Sequence, residues 1–334
     1  MPVKDEVKTV LTGNQGEYIS GEQLSENLGV SRAAIWKAVK ALREEGFRIE
    51  AVRNRGYMLH PCTGSVSREL LSRAVRESSG CGGKPEIYVF DVTDSTNLQA
   101  KKLVLDGKAR HGSLVFANRQ TAGRGRLGRS FYSPRDGIYM SIIIEPKFDM
   151  NNSGLVTVSA AAAVAEALVE MCGIDARIKW VNDVYAEGRK LCGILTEAMA
   201  DFETGTIGTL IIGIGINTCT DGFPEKLREM AGAVTLDGAK AKAELIAKIR
   251  ELVLRNVGQI GEGAPAFMET YRARSMLLGE KINVYKGKYR DDPTVEIGGI
   301  AAKAIAIDDE GGLRVRYSNG KEETLTSGEV SVRK

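Results

Sequence analysis

The run Gln120-Thr-Ala-Gly-Arg-Gly-Arg-Leu-Gly-Arg129 decides the fold through what flanks it: the apolar stretch Ser113-Leu-Val-Phe-Ala117 before and the turn-rich stretch Ser130-Phe-Tyr-Ser-Pro-Arg-Asp-Gly137 after. Spelled Gly123-x-Gly125-x-x-Gly128, with Glu145 downstream, it matches the dinucleotide fingerprint. That fingerprint works only where its third glycine opens the helix of a strand–helix–strand unit, because the pyrophosphate rests on that helix N-terminus. Here Pro134 intervenes, no helical period follows, and a second apolar strand, Ile138-Tyr-Met-Ser-Ile-Ile-Ile144, comes directly after. The crossover helix is missing, so a nicotinamide or flavin site is excluded and a strand–loop–strand unit is expected. In such a loop glycine lets backbone N–H groups approach a ligand, and arginine supplies fixed charge on a planar donor fork. The combination suits closure over a phosphate or carboxylate. A solvated basic loop without a ligand is the structural alternative.

The 334 residues allow two or three domains, and 43% hydrophobic with 27% charged residues is ordinary for a globular chain. A net charge of +3 does not require nucleic acid but permits a local basic face. Five cysteines (Cys62, Cys81, Cys172, Cys192, Cys219) are widely spaced without a Cys-x-x-Cys pair, which argues against a zinc site or a disulfide framework. Two histidines, His60 and His111, leave little for an imidazole-based metal centre. Cys192 sits in an apolar segment and reads as a buried residue. No signal segment opens the chain, and the apolar runs read as too short or too interrupted to cross a bilayer. The expectation is a cytoplasmic protein with no membrane partner.

Before the loop, Val3, Val7, Val10 and Leu11 form a helical stripe, and Ser20-Gly-Glu-Gln23 has the form of a capping box. Gly29-Val30 turns, Ser31 caps a helix over 32–45, and Ile35, Val39 and Leu42 face inward. Ser31, Arg32, Ala33, Lys37 and Lys40 are then the face that would enter a major groove. Residues 47–52 and 57–59 alternate as a hairpin whose tip carries Arg53 and Arg55. Three helices and a hairpin make a winged helix–turn–helix, with the tip arginines on phosphate or minor groove. A module used for packing or protein contacts is the alternative.

A linker over 61–67, a helix over 68–78 and a break at Gly80-Cys-Gly-Gly83 follow. A strand over 87–90 leads to Ser95-Thr96-Asn97, which either caps the helix over 97–105 or hydrogen-bonds a polar ring in a pocket. Beyond the loop come an Ala-rich core helix (155–171), a strand (177–181) entering the pair Asn182-Asp183, a reversal at 187–189, and strands over 190–195 and 208–217. Two helices, over 238–258 and 264–274, precede short strands from 282 onward. The last 55 or so residues read as a small β-barrel. The domains are expected at 1–62, 63–276 and 277–334.

Gly123-Arg-Gly-Arg-Leu-Gly-Arg129, Lys179-Trp-Val-Asn-Asp183, Gly188-Arg-Lys-Leu-Cys-Gly-Ile-Leu195 and Gly213-Ile-Gly-Ile-Asn217, in this order and spacing, resemble the biotin–protein ligases. With the winged helix and terminal barrel, the whole chain is similar to the bifunctional form that also represses the biotin operon. The resemblance implies an α+β architecture: winged helix–turn–helix, central mixed-sheet α/β domain of the biotin/lipoate ligase type (class II synthetase-like), and SH3-like β-barrel. It implies ATP and Mg²⁺ as cofactors and biotin as substrate, joined to AMP with loss of pyrophosphate. Biotin is then transferred to a lysine of the biotin carboxyl carrier domain of acetyl-CoA carboxylase. Operator DNA and a homodimer favoured by the adenylate, through an edge strand of the sheet, are the further implied partners.

Carried onto this sequence, the resemblance implies Arg126, Lys190 and Asp183 as catalytic, Asp183 also toward magnesium. Biotin would meet Ser95, Thr96, Asn97, Gln120, Gly123, Arg124, Gly125, Arg126, Lys190, Gly193, Leu195, Gly213 and Gly215. ATP would meet Arg126, Arg129, Phe131, Asn182, Lys190, Ile216 and Asn217. Structural roles remain open beside these: Asn182-Asp183 as a turn, Phe131 as a core aromatic, Lys190 as a solvated hairpin residue. The chain departs from the family at Val181 (usually proline), Leu127 (often arginine) and Phe131 (commonly tryptophan). A lipoate–protein ligase and a biotin-sensing repressor without catalysis are the rival functions.

Overall fold

The computed structural model describes all residues except 1, 15, 45–46, 48, 60–63, 79–84, 201–206, 221–222, 286–298, 327–328 and 333–334. Cys62, Cys81, His60, the expected break at 80–83 and the expected 62/63 boundary lie outside the described residues. So does part of the linker.

Helices α1 (Val3–Gly13), α2 (Gly21–Leu28) and α3 (Arg32–Glu44) pack with the hairpin β1 (Ile49–Val52) and β2 (Gly56–Leu59). Val7, Leu11, Leu24, Ile35, Val39, Leu42, Ile49 and Leu59 make one closed core. The capping box at Ser20 and Gln23 is formed, and Gly29 ends α2 at φ 63°. Gly56, at φ +106°, brings the hairpin so close to α2's entry that a Cβ there would lie 2.0 Å from the Ile19 carbonyl oxygen.

Helix α4 (Arg68–Ser78) leads into β3 (Ile87–Phe90), α5 (Thr96–Leu105), β4 (Leu114–Ala117) and β5 (Ile138–Ile144). Next come α6 (Gly154–Cys172), β6 (Arg177–Lys179), β7 (Asp183–Ala186), β8 (Arg189–Ala200) and β9 (Ile207–Ile216). The short α7 (Glu225–Arg228), then α8 (Gly238–Gly258) and α9 (Phe267–Ala273), complete the central domain. Its seven strands run β3-β4-β5-β9-β8-β7-β6, antiparallel except β3 with β4. Antiparallel pairing of β4 with β5 is the strand–loop–strand geometry expected, with only a single 3₁₀ turn at Arg126–Gly128 in the loop. Among the features not foreseen are β7 as a strand, the extension of β8 to Ala200 and the short helix α7.

Strand alternation divides the sheet's two faces. Ile138, Met140, Ile142, Leu210, Ile212 and Ile214 join the core shared with α4, α6, α8 and α9. On the opposite face, α5 covers Val115, Ile143 and Ile211, with Tyr88, Phe90 and Met199 at the margin. The rest of that face, where Gly213 and Gly215 continue the row of Ile211, is left to the glycine–arginine loop.

Helix α6 is, by length and composition, apolar enough to cross a membrane, although the apolar runs read as too short or too interrupted for that. Its residues from Leu155 to Leu168 are nearly all buried inside the domain, so packing accounts for its apolarity. Cys219 is disulfide-bonded while Cys172 and Cys192 are free, which is less than the disulfide framework that the spacing argues against. Spacing along a chain does not report which sulfurs meet in space.

The final strands, β10 (Lys281–Tyr285), β11 (Ile300–Ile307), β12 (Leu313–Tyr317), β13 (Glu322–Leu325) and β14 (Glu329–Val332), form an antiparallel sheet ordered β13-β12-β11-β10-β14. It joins the central domain through the Trp180 indole, which donates to the Gly311 carbonyl at 2.9 Å, and through the Arg272–Asp309 ion pair. At the other end the chain leaving the winged helix is gripped residue by residue. Gly64 O accepts from the buried Lys242 Nζ (3.2 Å), Ser65 Oγ lies 3.4 Å from Arg135 Nη1, and Val66 pairs its N–H and C=O with the Asn118 amide.

Candidate active site

A cleft of about 990 Å³, measured to its open mouth, lies on the uncovered face beneath the loop. Its floor is made by absence of side chains. Gly193 of β8 and Gly215 of β9 are cross-strand partners, and Cβ atoms there would come within 3.2 Å and 2.6 Å of the Phe131 ring. Gly213 is paired with Leu195, and a Cβ on it would sit 2.4 Å from Asn97 Oδ1. Any larger residue at these three positions fills the cleft from below.

The end wall is polar. Ser95 stands at the N-cap of α5 yet makes no side-chain cap bond; Asp94 Oδ1 instead accepts from Ser95 N–H (2.7 Å) and Gln99 Nε2 (2.8 Å). Burial would raise the Asp94 carboxyl, but hydrogen bonds from Gln99, Ser95 and Thr93 prevail and hold it at about 2. Thr96 donates its N–H to Gln120 Oε1 (2.8 Å), and Gln120 Nε2 donates to Ser133 Oγ (3.0 Å), so α5 is latched to the loop. Asn97 is fully engaged: Ser141 Oγ donates to its Oδ1, and its Nδ2 donates to Glu197 Oε2. Glu197 also pairs with Lys101 (2.7 Å) and with Arg124 of the loop (3.5 Å). Burial pushes the Glu197 carboxyl up, but the Lys101 and Asn97 bonds and the Arg124 charge outweigh it and leave it lowered.

The charged end is opposite. Arg126 Nη1 donates to Asn182 Oδ1 at 3.0 Å, joining the loop to the β6–β7 turn, while Asn182 Nδ2 donates to the Ile194 carbonyl. That turn is held from behind by the buried Tyr271, whose hydroxyl donates to Val181 O at 3.0 Å. Lys190 Nζ lies 2.8 Å from Asp183 Oδ1, within ion-pair distance. The same oxygen is buried without an aligned hydrogen-bond donor, so the contact is one of charge rather than directed bonding. Arg126 and Lys190 thus face the cleft from two elements, with the Asp183 carboxylate beside the lysine.

Of the expected ligand residues, Ser95, Thr96, Asn97, Gln120, Arg124, Gly125, Arg126, Arg129, Phe131, Asn182, Asp183, Lys190, Gly193, Leu195, Gly213 and Gly215 line this cleft. Three stand outside its lining. Gly123 backs onto Phe131 O and Ser133, and Ile216 is a core residue. Asn217 donates to the Lys190 carbonyl at 3.2 Å, behind the lysine. Lys179 and Trp180 line the cleft without having been assigned to it; their place in the Lys179–Asp183 motif was the available signal. Cys192 is fully buried and its thiol is pushed up by burial, consistent with a packing residue.

In the winged helix, Arg32, Ala33, Lys37 and Lys40 are exposed on one face of α3, and Ser31 Oγ accepts from Ala34 N–H. Arg32 pairs with Glu22, and the Arg55 guanidinium lies 4.2 Å from the Tyr18 ring centre, so both are also held within their own domain.

Three family descriptions match in this order: HTH domain over residues 7–58, Biotin/lipoate A/B protein ligase family over 89–217, and Biotin protein ligase C terminal domain over 294–333. The Bifunctional ligase/repressor BirA of Bacillus subtilis is 34% identical, with 91% of each chain covered. The chain belongs to the bifunctional ligase/repressor branch of the biotin–protein ligases. Its counterpart from Escherichia coli is 30% identical over 95% of this chain and 94% of its own. Among solved structures, the biotin protein ligase from Aquifex aeolicus in complex with biotin and ATP superposes with a TM-score of 0.58 at 26% identity. It covers 74% of this chain and 98% of its own. As a member of this family the chain carries both a ligase core and a repressor-type helix–turn–helix.

Proposed function

We propose that this ligase condenses biotin with ATP in the cleft and passes biotin to a lysine of the biotin carboxyl carrier domain of acetyl-CoA carboxylase. In the first step a biotin carboxylate oxygen attacks the α-phosphorus, the bond to the bridging oxygen breaks, and pyrophosphate leaves. In the second, the acceptor ε-amine attacks the acyl carbon, AMP leaves, and the amine gives up a proton. Neither step needs an enzyme nucleophile; both need orientation and compensation of negative charge. The observation that carries this reading is the convergence of Arg126 and Lys190 beside a glycine floor, opposite a polar end wall.

In this reading the ring system of biotin lies over Gly213 and Gly215 against Ser95, Thr96 and Gln120. Arg126 and Lys190 meet the carboxyl–phosphoryl oxygens. Phe131, packed across Gly193 and Gly215, covers the junction, and Asn182 and Arg129 stand on the nucleotide side. Asn217 acts from behind by fixing the Lys190 backbone. Asp183 Oδ1, buried and lacking an aligned donor, suits the incoming amine or a magnesium ion. Among the described residues no three His, Cys, Asp or Glu side chains converge. Asp183 would therefore share Mg²⁺ with phosphate oxygens and water, the usual manner for this ion, which supplies charge neutralisation when bound.

The same proposal places operator DNA on α3 and the β1–β2 hairpin, the domains at 1–62, 63–276 and 277–334, and the protein in the cytoplasm. It also includes an adenylate-favoured homodimer: beyond Gly193, β8 has no strand on its β7 side among the described residues, leaving an edge for a second copy. The experiment is pyrophosphate release with biotin plus ATP, followed by biotin transfer to a carrier-domain peptide. Release with lipoate instead of biotin, or no release at all, would refute the ligase assignment.

A further inference from the structure

Helix α3 carries an exposed large aromatic, Trp36, that neither the core nor the expected set of DNA contacts accounts for. Its buried face is Ile35, Ala38, Val39 and Leu42; its outward stripe is Arg32, Ala33, Trp36, Lys37 and Lys40. Trp36, at the centre of that stripe, is 57% exposed. Lys40 Nζ lies 5.8 Å from its ring centre. A large aromatic held in water between cations, on the helix that a helix–turn–helix lays in the major groove, needs a partner that is both anionic outside and apolar within. Duplex DNA meets this: its phosphates match the cations, and the thymine 5-methyl is the apolar group on the major-groove base edges. The small Ala33, one turn before Trp36, lets the helix come close.

We propose that Trp36 sets operator preference by packing its indole against thymine methyl groups, while Arg32, Lys37, Lys40 and the hairpin arginines supply sequence-independent attraction. This rests on the repressor reading of the N-terminal domain and assigns the residue that reads sequence within it.

The wild-type chain, with biotin and ATP, is used to select a duplex from a random pool. That duplex is rebuilt with deoxyuridine for thymidine, which removes only the methyl groups. Wild type should lose about tenfold or more in affinity for the rebuilt duplex, the range expected of a base contact. Trp36→Ala should bind the two duplexes alike, with an unchanged dependence on salt, because that slope counts phosphate contacts. Trp36 and Trp180 are the two tryptophans of the chain, and Trp180 is 5% exposed, so iodide quenching reports Trp36. The selected duplex should shield that fluorescence. Undiminished discrimination by Trp36→Ala, indifference of wild type to deoxyuridine, or full iodide access in the complex would each overturn the inference while leaving DNA binding standing. A wild-type chain that enriches no duplex would overturn the repressor reading together with it.

Discussion

Lys190→Met keeps the aliphatic stem and removes one charge from the cleft, so it separates what the lysine does for the fold from what it does for the reaction. Lys190 Nζ sits 2.8 Å from Asp183 Oδ1, with side chains 33% and 20% exposed. At that distance and an effective dielectric near 20, the gross attraction is roughly 6 kcal/mol. Desolvation and solvent screening of a partly exposed pair reduce the net share to about 1 kcal/mol. The loss of stability should therefore be small, and Asp183→Asn, which breaks the same pair from the other side, should melt within a few degrees of it. The catalytic loss is larger, because a fixed cation aimed at developing phosphoryl charge contributes about 3–4 kcal/mol, or 10²–10³ in rate. The assay is biotin-dependent exchange of labelled pyrophosphate into ATP, run beside melting by circular dichroism. Lys190→Met exchanging at the wild-type rate would remove the lysine from the reaction. A collapse of the melting transition matching the loss of rate would show its role to be structural.

Arg126→Gly should lower adenylate retention by about 10²-fold through the same loss of charge stabilisation, while also releasing Asn182 Oδ1; adenylate comigrating with the variant on gel filtration as it does with wild type would contradict this. Gly56→Ala places a Cβ 2.0 Å from Ile19 O at φ +106° and should destabilise the winged helix by about 2 kcal/mol or more. DNA binding in a gel shift should fall with adenylation kept, and an unchanged shift would refute the close approach. Burial lowers Lys242 to about 8, so the folded state disfavours its charge more than the unfolded chain does. The penalty is full below about pH 8 and is relieved as pH rises from there toward 10. Urea midpoints of wild type relative to Lys242→Met should climb over that interval, and a flat difference would count against it.

The elements legible in the sequence are those whose signal is local. The short apolar runs at 138–144 and 208–217, the capping box at Ser20 and the absence of a helix after Gly128 depend only on local composition and backbone geometry, and each recurs in the structure. The cleft was legible in part for the same reason: its glycines are conspicuous within β-strands, where an apolar residue is the norm. Lys179 and Trp180 passed unassigned because a strand end has no period to show which way it faces. The Ala-rich α6 was legible as a core helix, because small side chains let a helix lie close against a sheet, and its residues from Leu155 to Leu168 are nearly all buried.

By itself the sequence determined the winged helix, the strand–loop–strand unit, the cationic loop and the terminal antiparallel strands, since each is set by interactions within a few residues or by simple periodicity. Only the tertiary structure decided that Asn217 serves Lys190 from behind, that Glu197 ties Asn97 to Arg124, and that Lys242 holds the interdomain chain at Gly64. These contacts join residues tens to more than a hundred positions apart. Their existence depends on how helices and strands pack in three dimensions, which no local pattern records.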